Sequence, residues 1–554
     1  MTTIDTSPDA LAADTGESSG SFLGGVAGWV TTSDHKCIGR LFMGVSALAF
    51  LATAAVGLLL GIERADGGEL VFRADVVSQL FQAQRVGLSF GTMLPLGLGL
   101  AVAVVPLQLG ARSLAFPRLA LAGFYAWLSG LVLTIVALAN DGGIGGTDVD
   151  MVVLFLLGHA LMALGLLAAA GSLATSILTT RAPGMTMRRV PFFTWSALVT
   201  AIGLLLALPV ALAVIVYLVV DLRYGGAAFG GSDGLAAWLG WPFTQPTTFL
   251  FAIPALGVFA ELVPVTFRAA QKARGVVFAG LGLVAVAALA AVTQQAIFAV
   301  PWAGDFGDDI RDLVPFAMFH LLPILGVVIV LALGLLTAVG GRRRLTASFL
   351  FGFFGLGMVL VGMLGAALYP IGDLELRGTV FEEGAFVYVA YGTVLGVIGG
   401  VLHWAPKLWG RRIPELKAIP LALLGVLATI LASLPYYVAG FAGQPAASSL
   451  YSYSGPDSLW NVLVLVGHGL MVLTVLAVFA LLIATFTGDG EPAGDDPWGG
   501  HTIEWAAPSP APPNNFVDVP SIFSPEPMLD LQEPDPGATD AGHADADADD
   551  GSSS

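Results

Sequence analysis

The sequence predicts an all-α integral membrane protein, a bundle of twelve transmembrane helices. Three observations carry this. The 554 residues are 56% hydrophobic and only 11% charged, whereas a soluble domain carries roughly 25% charged residues. Mean hydropathy is +0.83, and twelve apolar runs reach the length a span needs, about 20 residues. Basic residues alternate from one connection to the next, which is the pattern of a chain that crosses a bilayer repeatedly.

The runs lie near 40–62, 84–110, 117–140, 150–178, 192–220, 246–267, 275–300, 313–338, 346–370, 384–406, 418–442 and 459–486. Backbone inside a bilayer must satisfy its own hydrogen bonds, so each run reads as a helix. Numbered from the N-terminus, the loops on one side hold Lys36, Arg40, Arg112, Arg118, Arg181, Arg188, Arg189, Arg268, Lys272, Arg274, Arg342, Arg343, Arg344, Lys407, Arg411, Arg412 and Lys417. The loops on the other hold Arg64, Arg73, Arg223, Arg311 and Arg377. That bias of 17 against 5 places both termini in the cytoplasm by the positive-inside rule. A prokaryotic plasma membrane is the expected location.

Four segments follow. Residues 1–33 are polar, lack the basic start of a signal peptide and read as disordered. Residues 34–487 form the twelve-helix membrane domain. Residues 488–536 form a cytoplasmic C-terminal extension, and 537–554 a low-complexity, disordered acidic tail. The net charge of −17 belongs mostly to the C-terminal segments: 15 acidic residues lie beyond Gly488 and no Lys or Arg lies beyond Lys417. The solvated-tail reading outweighs a specific binding tail. One cysteine, Cys37, excludes an internal disulfide and a cysteine-only metal site. Topology accounts for the basic residues, so nothing points to nucleic acid.

Five segments in order resemble one family. They are Thr32–Arg40 (TSDHKCIGR), Val105–Leu119 (VPLQLGARSLAFPRL), Arg181–Thr194 (RAPGMTMRRVPFFT), Trp404–Arg411 (WAPKLWGR) and Asp496–Phe516 (DPWGGHTIEWAAPSPAPPNNF). Together they resemble subunit I of cytochrome c oxidase, of the haem-copper oxidase superfamily. The resemblance implies two haems and a copper held by histidines, oxygen reduction and proton pumping.

The chain departs from the family's pattern at each ligand position. In helix two, Gln79–Gln84 (QLFQAQ) resembles the stretch that ends in a low-spin haem histidine, which is Gln84 here. In helix ten, Phe386–Leu395 (FVYVAYGTVL) resembles the stretch with two haem histidines, which fall on Ala390 and Gly392. In helix six, Gln245–Phe249 (QPTTF) puts Gln245 at a copper histidine, Thr247 at a proton-path glutamate and Phe249 at a crosslinked tyrosine. The other two copper histidines fall on Gln294 and Gln295 in helix seven. Haem iron needs an axial donor such as imidazole, thiolate or thioether, and copper in such a site needs imidazole nitrogen.

Further positions differ in the same direction. Gly443–Ala447 (GQPAA) resembles a loop whose propionate-binding arginines are Ala446 and Ala447 here. The proton-path lysine of helix eight falls near Val327, the proton-entry aspartate on Ser113, and its partner asparagines on Ala120 and Leu121. A His-Asp pair before helix ten falls on Glu382 and Glu383. No cofactor is expected, unless unorthodox ligands hold haem and copper.

Among the remaining polar residues, His159, His320, His403 and His468 lie in spans and His35 at a helix entry. No two share a ligand spacing, and each reads as a hydrogen-bonded core or interface residue, with His403 placed to cap carbonyls. Arg85 costs about 2.5–3.5 kcal/mol on insertion scales unless partnered. It reads either as lining the vacated haem slot opposite Glu382 or Glu383, or as snorkelling outward. Glu261 reads as structural, bonded near a helix end. A haem-sized void costs about 24 cal/mol per Å3, so Phe249, Phe386, Tyr388 and Tyr391, lipid or helix movement must fill it. The leading expectation is a redox-inactive structural or assembly subunit of a respiratory membrane complex, paired with a subunit II-like or III-like partner. Two alternatives are small-molecule or quinone binding or transport in the vacated cavity, and a terminal oxidase with unorthodox ligands.

Overall fold

A computed structural model describes residues 28–65, 70–225, 246–293, 310–342, 345–448, 450, 456–488, 491–516 and 518–532. Among the described residues are twelve helices long and apolar enough to cross a membrane: α1 His35–Ala65, α2 Ala74–Gln108, α3 Pro117–Ala139, α4 Val149–Thr179, α5 Phe192–Arg223, α6 Phe249–Phe267, α7 Arg274–Ala291, α8 Leu313–Val339, α9 Ala347–Leu368, α10 Phe381–Trp409, α11 Glu415–Phe441 and α12 Ser458–Thr487. The expected disordered tail 537–554 and most of the N-terminal segment lie outside the described residues.

Three helices form the centre. The most apolar stretches of α2 and α6 are wholly buried and that of α10 nearly so. These three touch one another. The rest surround them: α1 packs on α2 and α12, α3 on α4, α4 on α5, α5 on α6, α7 on α8, α9 on α10, and α11 on α10 and α12. Lipid tails give apolar helices no solvophobic reason to associate, so close approach depends on small residues. Gly355 of α9 and Gly392 of α10 provide one such approach: a Cβ on Gly392 would sit 2.7 Å from the Gly355 carbonyl oxygen and 2.8 Å from the Val359 nitrogen.

Helix α2 begins ten residues before the apolar run that signals it. Its first turns are polar, but that polarity has partners. Gln79 donates to Asp141 Oδ1 (2.8 Å) and accepts from the Gly143 amide (3.0 Å), while Gln82 donates to the Ile144 carbonyl (2.5 Å). The loop between α3 and α4 therefore satisfies side chains that hydropathy alone assigns outside the span. A π-helical stretch, Gly87–Met93, interrupts α2. Such stretches occur mostly as single-turn bulges, often at functional sites.

The C-terminal segment docks on one end of the bundle. Asn515 Oδ1 accepts from Lys36 Nζ (3.0 Å) and pairs with His35 Nε2 (3.0 Å), and its Nδ2 donates to the Ala111 carbonyl (2.7 Å). Trp498 Nε1 donates to the His403 carbonyl (2.9 Å). The buried Trp498 and Trp505 fill the space below α10. The capping role expected of the His403 side chain is not seen. Its ring lies among Trp404, Trp498 and Trp505, 5.1–6.0 Å between centroids, and Nε2 has no partner.

Candidate functional site

The polar residues of interest gather at the end of the bundle away from the C-terminal segment, between α1, α2, α10, α11 and α12. Adjacent acids open α10, and each meets an arginine from a different helix. Arg85 of α2 donates to Glu382, through Nη1 to Oε1 at 2.8 Å and through Nη2 to Oε2. Its guanidinium lies 4.9 Å from the centroid of Phe386. The guanidinium therefore points inward to α10 instead of snorkelling.

The second arginine is Arg64, at the end of α1. It donates to Glu383 at 2.8 and 3.1 Å, to the Tyr436 hydroxyl at 2.8 Å and to the Ser448 carbonyl at 3.0 Å. Its side chain is 1% exposed. Glu383 also accepts from the Ala447 amide at 2.9 Å. Sequence reasoning counted Arg64 as a loop charge and missed this role. The position of Arg64 directly after an apolar run was the available signal. Buried ions need full hydrogen bonding to offset desolvation, and this site supplies it with three side chains and two backbone groups.

Gln84 lies next to Arg85 on α2. A Cβ on Gly57 of α1 would meet Gln84 Nε2 at 2.9 Å and His468 Nδ1 at 2.7 Å, so an amide and an imidazole flank the same tight crossing. His468 Nδ1 is bonded to the Tyr391 hydroxyl at 2.7 Å, and the Tyr391 ring meets Phe50 edge-on at 5.4 Å. Tyr391 and Phe386, named from the sequence as space fillers, are both buried here. Ala390 is fully buried in α10, and Gly392 faces the backbone of α9. Gln245, Gln294 and Gln295 lie outside the described residues. Phe249 is buried at the start of α6, 6.3 Å from the His320 ring centroid on α8. Glu261 accepts from the Phe193 amide, so the helix end it bonds is the start of α5.

These residues bear directly on ligand fit. Gln84, Ala390 and Gly392 offer no imidazole, and between Phe381 and Leu402 of α10 there is no histidine in any register. A histidine at 392 has no room against Gly355 and Val359. The described residues at the positions named for haem thus supply no axial ligand.

Comparison with known proteins supplies the wider identity. Residues 37–470 match the family model described as cytochrome C and quinol oxidase polypeptide I. A protein of Streptomyces avermitilis provisionally named cytochrome c oxidase subunit 1-beta is 30% identical over 546 residues, covering 92% of each chain. The cytochrome c oxidase subunit 1 of Corynebacterium diphtheriae is 28% identical and covers 92% of this chain and 93% of its own. That of Bacillus subtilis is 28% identical, covering 90% and 82%. Twelve spans and bacterial relatives indicate a prokaryotic plasma membrane protein, and subunit I of this family works with other oxidase subunits in a membrane complex. The expectation that the chain takes no cofactor is corrected by these matches: the family binds haem and copper. The aligned positions Gln84, Ala390 and Gly392 leave out the other imidazoles of the bundle, such as His159, His320 and His468. With the model matching most of the membrane domain and relatives aligned from end to end, this chain belongs to the cytochrome c and quinol oxidase polypeptide I family.

Proposed function

We propose that this chain is a cytochrome c oxidase subunit I-like membrane protein that serves a respiratory complex as a structural or assembly subunit and does not itself reduce oxygen. The observation that carries this reading is the arginine–glutamate lattice. Where the resemblance puts a haem ligand beside Arg85 and propionate-binding residues at Ala446 and Ala447, the chain has Arg85–Glu382, Arg64–Glu383 and an Ala447 amide bonded to Glu383. These contacts join α1, α2, α10 and the loop after α11 directly, side chain to side chain and side chain to backbone. They favour a role in holding the bundle together over a role in redox chemistry. Gln84 and the tight α9–α10 crossing at Gly392 support the same reading.

The lipid-facing helices α3, α4, α8 and α12 keep apolar exposed residues such as Ile135, Leu164, Leu336 and Leu473, surfaces on which a subunit II-like or III-like partner or lipid can pack. The basic loops support cytoplasmic termini. The test is affinity purification of the tagged chain from its own membranes, with the redox activity of the complex assayed after Arg85 and Arg64 are replaced in turn. A stable complex with a second membrane subunit, lost when the arginines are lost, supports the reading. A chain that purifies alone with oxygen-reducing activity overturns it.

A further inference from the structure

Two buried carboxylates at the opposite end of the bundle take no part in that lattice. Glu261 sits in α6 and Glu504 in the docked C-terminal segment, at 3% and 0% exposure. Hydrogen bonds tie both to adjacent residues at the start of α5. Glu504 Oε1 accepts from Gln108 Nε2 at 3.0 Å and from Trp404 Nε1 at 3.2 Å. Gln108 Oε1 accepts from Thr194 Oγ1 at 2.8 Å. The adjacent Phe193 amide donates to Glu261 Oε2 at 3.2 Å.

Neither carboxylate is ion-paired among the described residues. The nearest cations, Arg274 beside Glu261 and Lys407 beside Glu504, attract these carboxylates without forming an ion pair and spend their donors on backbone carbonyls. Lys407 of α10 donates to the Asp495 and Ala507 carbonyls. Arg274 of α7 donates to the Val190 carbonyl and lies over Phe192 and Phe278. The other acids near these cations are Asp495 and Asp496, which attract Lys407, and Glu526, which attracts Arg274; the like charge acting on Glu261 is Glu504 itself. Two unpaired carboxylates removed from water do not both ionise readily, because burial and like charge each favour the neutral form. Burial raises the Glu504 carboxyl above the usual range, against the opposing hydrogen bonds from Gln108, its own backbone, Thr502 and Trp404.

A second, independent feature points to an occupant. Trp505 Nε1 and His403 Nε2 are buried without a hydrogen-bond partner, and their rings are 5.1 Å apart, while the Thr502 hydroxyl lies against the Glu504 carboxylate. Orphaned donors and acceptors collected in one place are commonly satisfied by ordered water. We propose that Glu261 and Glu504 form a hydrated proton-holding site, in which the carboxylate pair retains a proton at neutral pH, with ordered water on the His403 and Trp505 side. The ligand is the proton itself. The site stands apart from the arginine–glutamate lattice and does not depend on the proposed structural role.

The test is the infrared spectrum of the full-length protein in membranes at neutral pH, in H2O and D2O. The proposal expects a protonated-carboxyl stretch that shifts on deuteration, weakens in Glu504→Gln or Glu261→Gln and is absent from the double variant. A wild-type spectrum without a protonated carboxyl at neutral pH overturns it, whatever the variants do. So does a band that survives the double variant.

Discussion

Arg64 and Glu383 meet in the interior through two hydrogen bonds, 2.8 Å to Oε2 and 3.1 Å to Oε1. They come from helices 319 residues apart in sequence, so the pair fixes how the first helix lies against the tenth. Tyr436 and the loop after α11 complete the arrangement.

Removing one partner leaves the other charged, buried and unpaired. Arg64→Met is expected to cost about 3–5 kcal/mol, the range for breaking a buried pair. Arg64→Met combined with Glu383→Met is expected to recover much of that loss, since the uncompensated charge has gone. Thermal melting of the purified protein in detergent checks both. Equal destabilisation by the single and double variants would show that the pair's charge does not matter.

Arg85→Leu leaves Glu382 unpaired, but the cost is smaller. The two side chains are 24% and 15% exposed, so water can screen part of the loss. A drop of about 1–3 kcal/mol in the same melting assay is expected, the penalty for an unsatisfied partner. An unchanged melt would mean that the inward placement of Arg85 has no energetic consequence.

Gly392→Ala tests the α9–α10 crossing. The new methyl would lie 2.7 Å from the Gly355 carbonyl oxygen and 2.8 Å from the Val359 nitrogen, inside contact distance to backbone that cannot rotate away. Overpacking of this kind costs about 1–3 kcal/mol. Were Gly392 to face an open cofactor space, alanine would be tolerated with no loss, and the melting curve separates the two cases.

His501 makes the docking of the C-terminal segment sensitive to acid. Burial lowers its pKa from 6.5 to about 4, and the nearest carboxylate oxygen, on Glu526, is 3.8 Å away. The folded state therefore prefers neutral imidazole. Its contribution is fully present above the unfolded value and is lost as pH falls from about 6.5 towards about 4. Protease sensitivity of residues 491–532 should rise over that window, and His501→Gln should flatten the rise. Equal slopes for the wild type and the variant would assign the acid sensitivity to other groups.

Much of this architecture was legible in the sequence, because span length and apolarity are imposed by the bilayer. All twelve helices correspond to apolar runs, although α2 starts early because Gln79 and Gln82 find partners in a neighbouring loop. The inward course of Arg85 was one of two readings, and only the three-dimensional neighbourhood of Glu382 distinguishes them. Arg64 was hidden because hydropathy treats a charge at a span end as loop. Lys36 and Lys407 were counted as loop charges too, yet both are buried by the C-terminal segment. That segment reads as an acidic extension by net charge. Its Trp498, Trp505 and proline-rich run, which contrast with the repetitive tail, were the local sign that it packs. Ligand positions set by resemblance were less secure than the spans, since a glycine that touches a neighbouring helix and one that faces a cofactor look alike in sequence.

Oxygen consumption by the purified complex, fed by a reduced electron donor and compared with and without cyanide, addresses the central claim most directly. The structural-subunit account predicts no cyanide-sensitive uptake attributable to this chain, and no change when Gln84 is replaced by alanine. Cyanide-sensitive oxygen reduction that follows this subunit through purification, and falls when residues of its bundle interior are replaced, would contradict it.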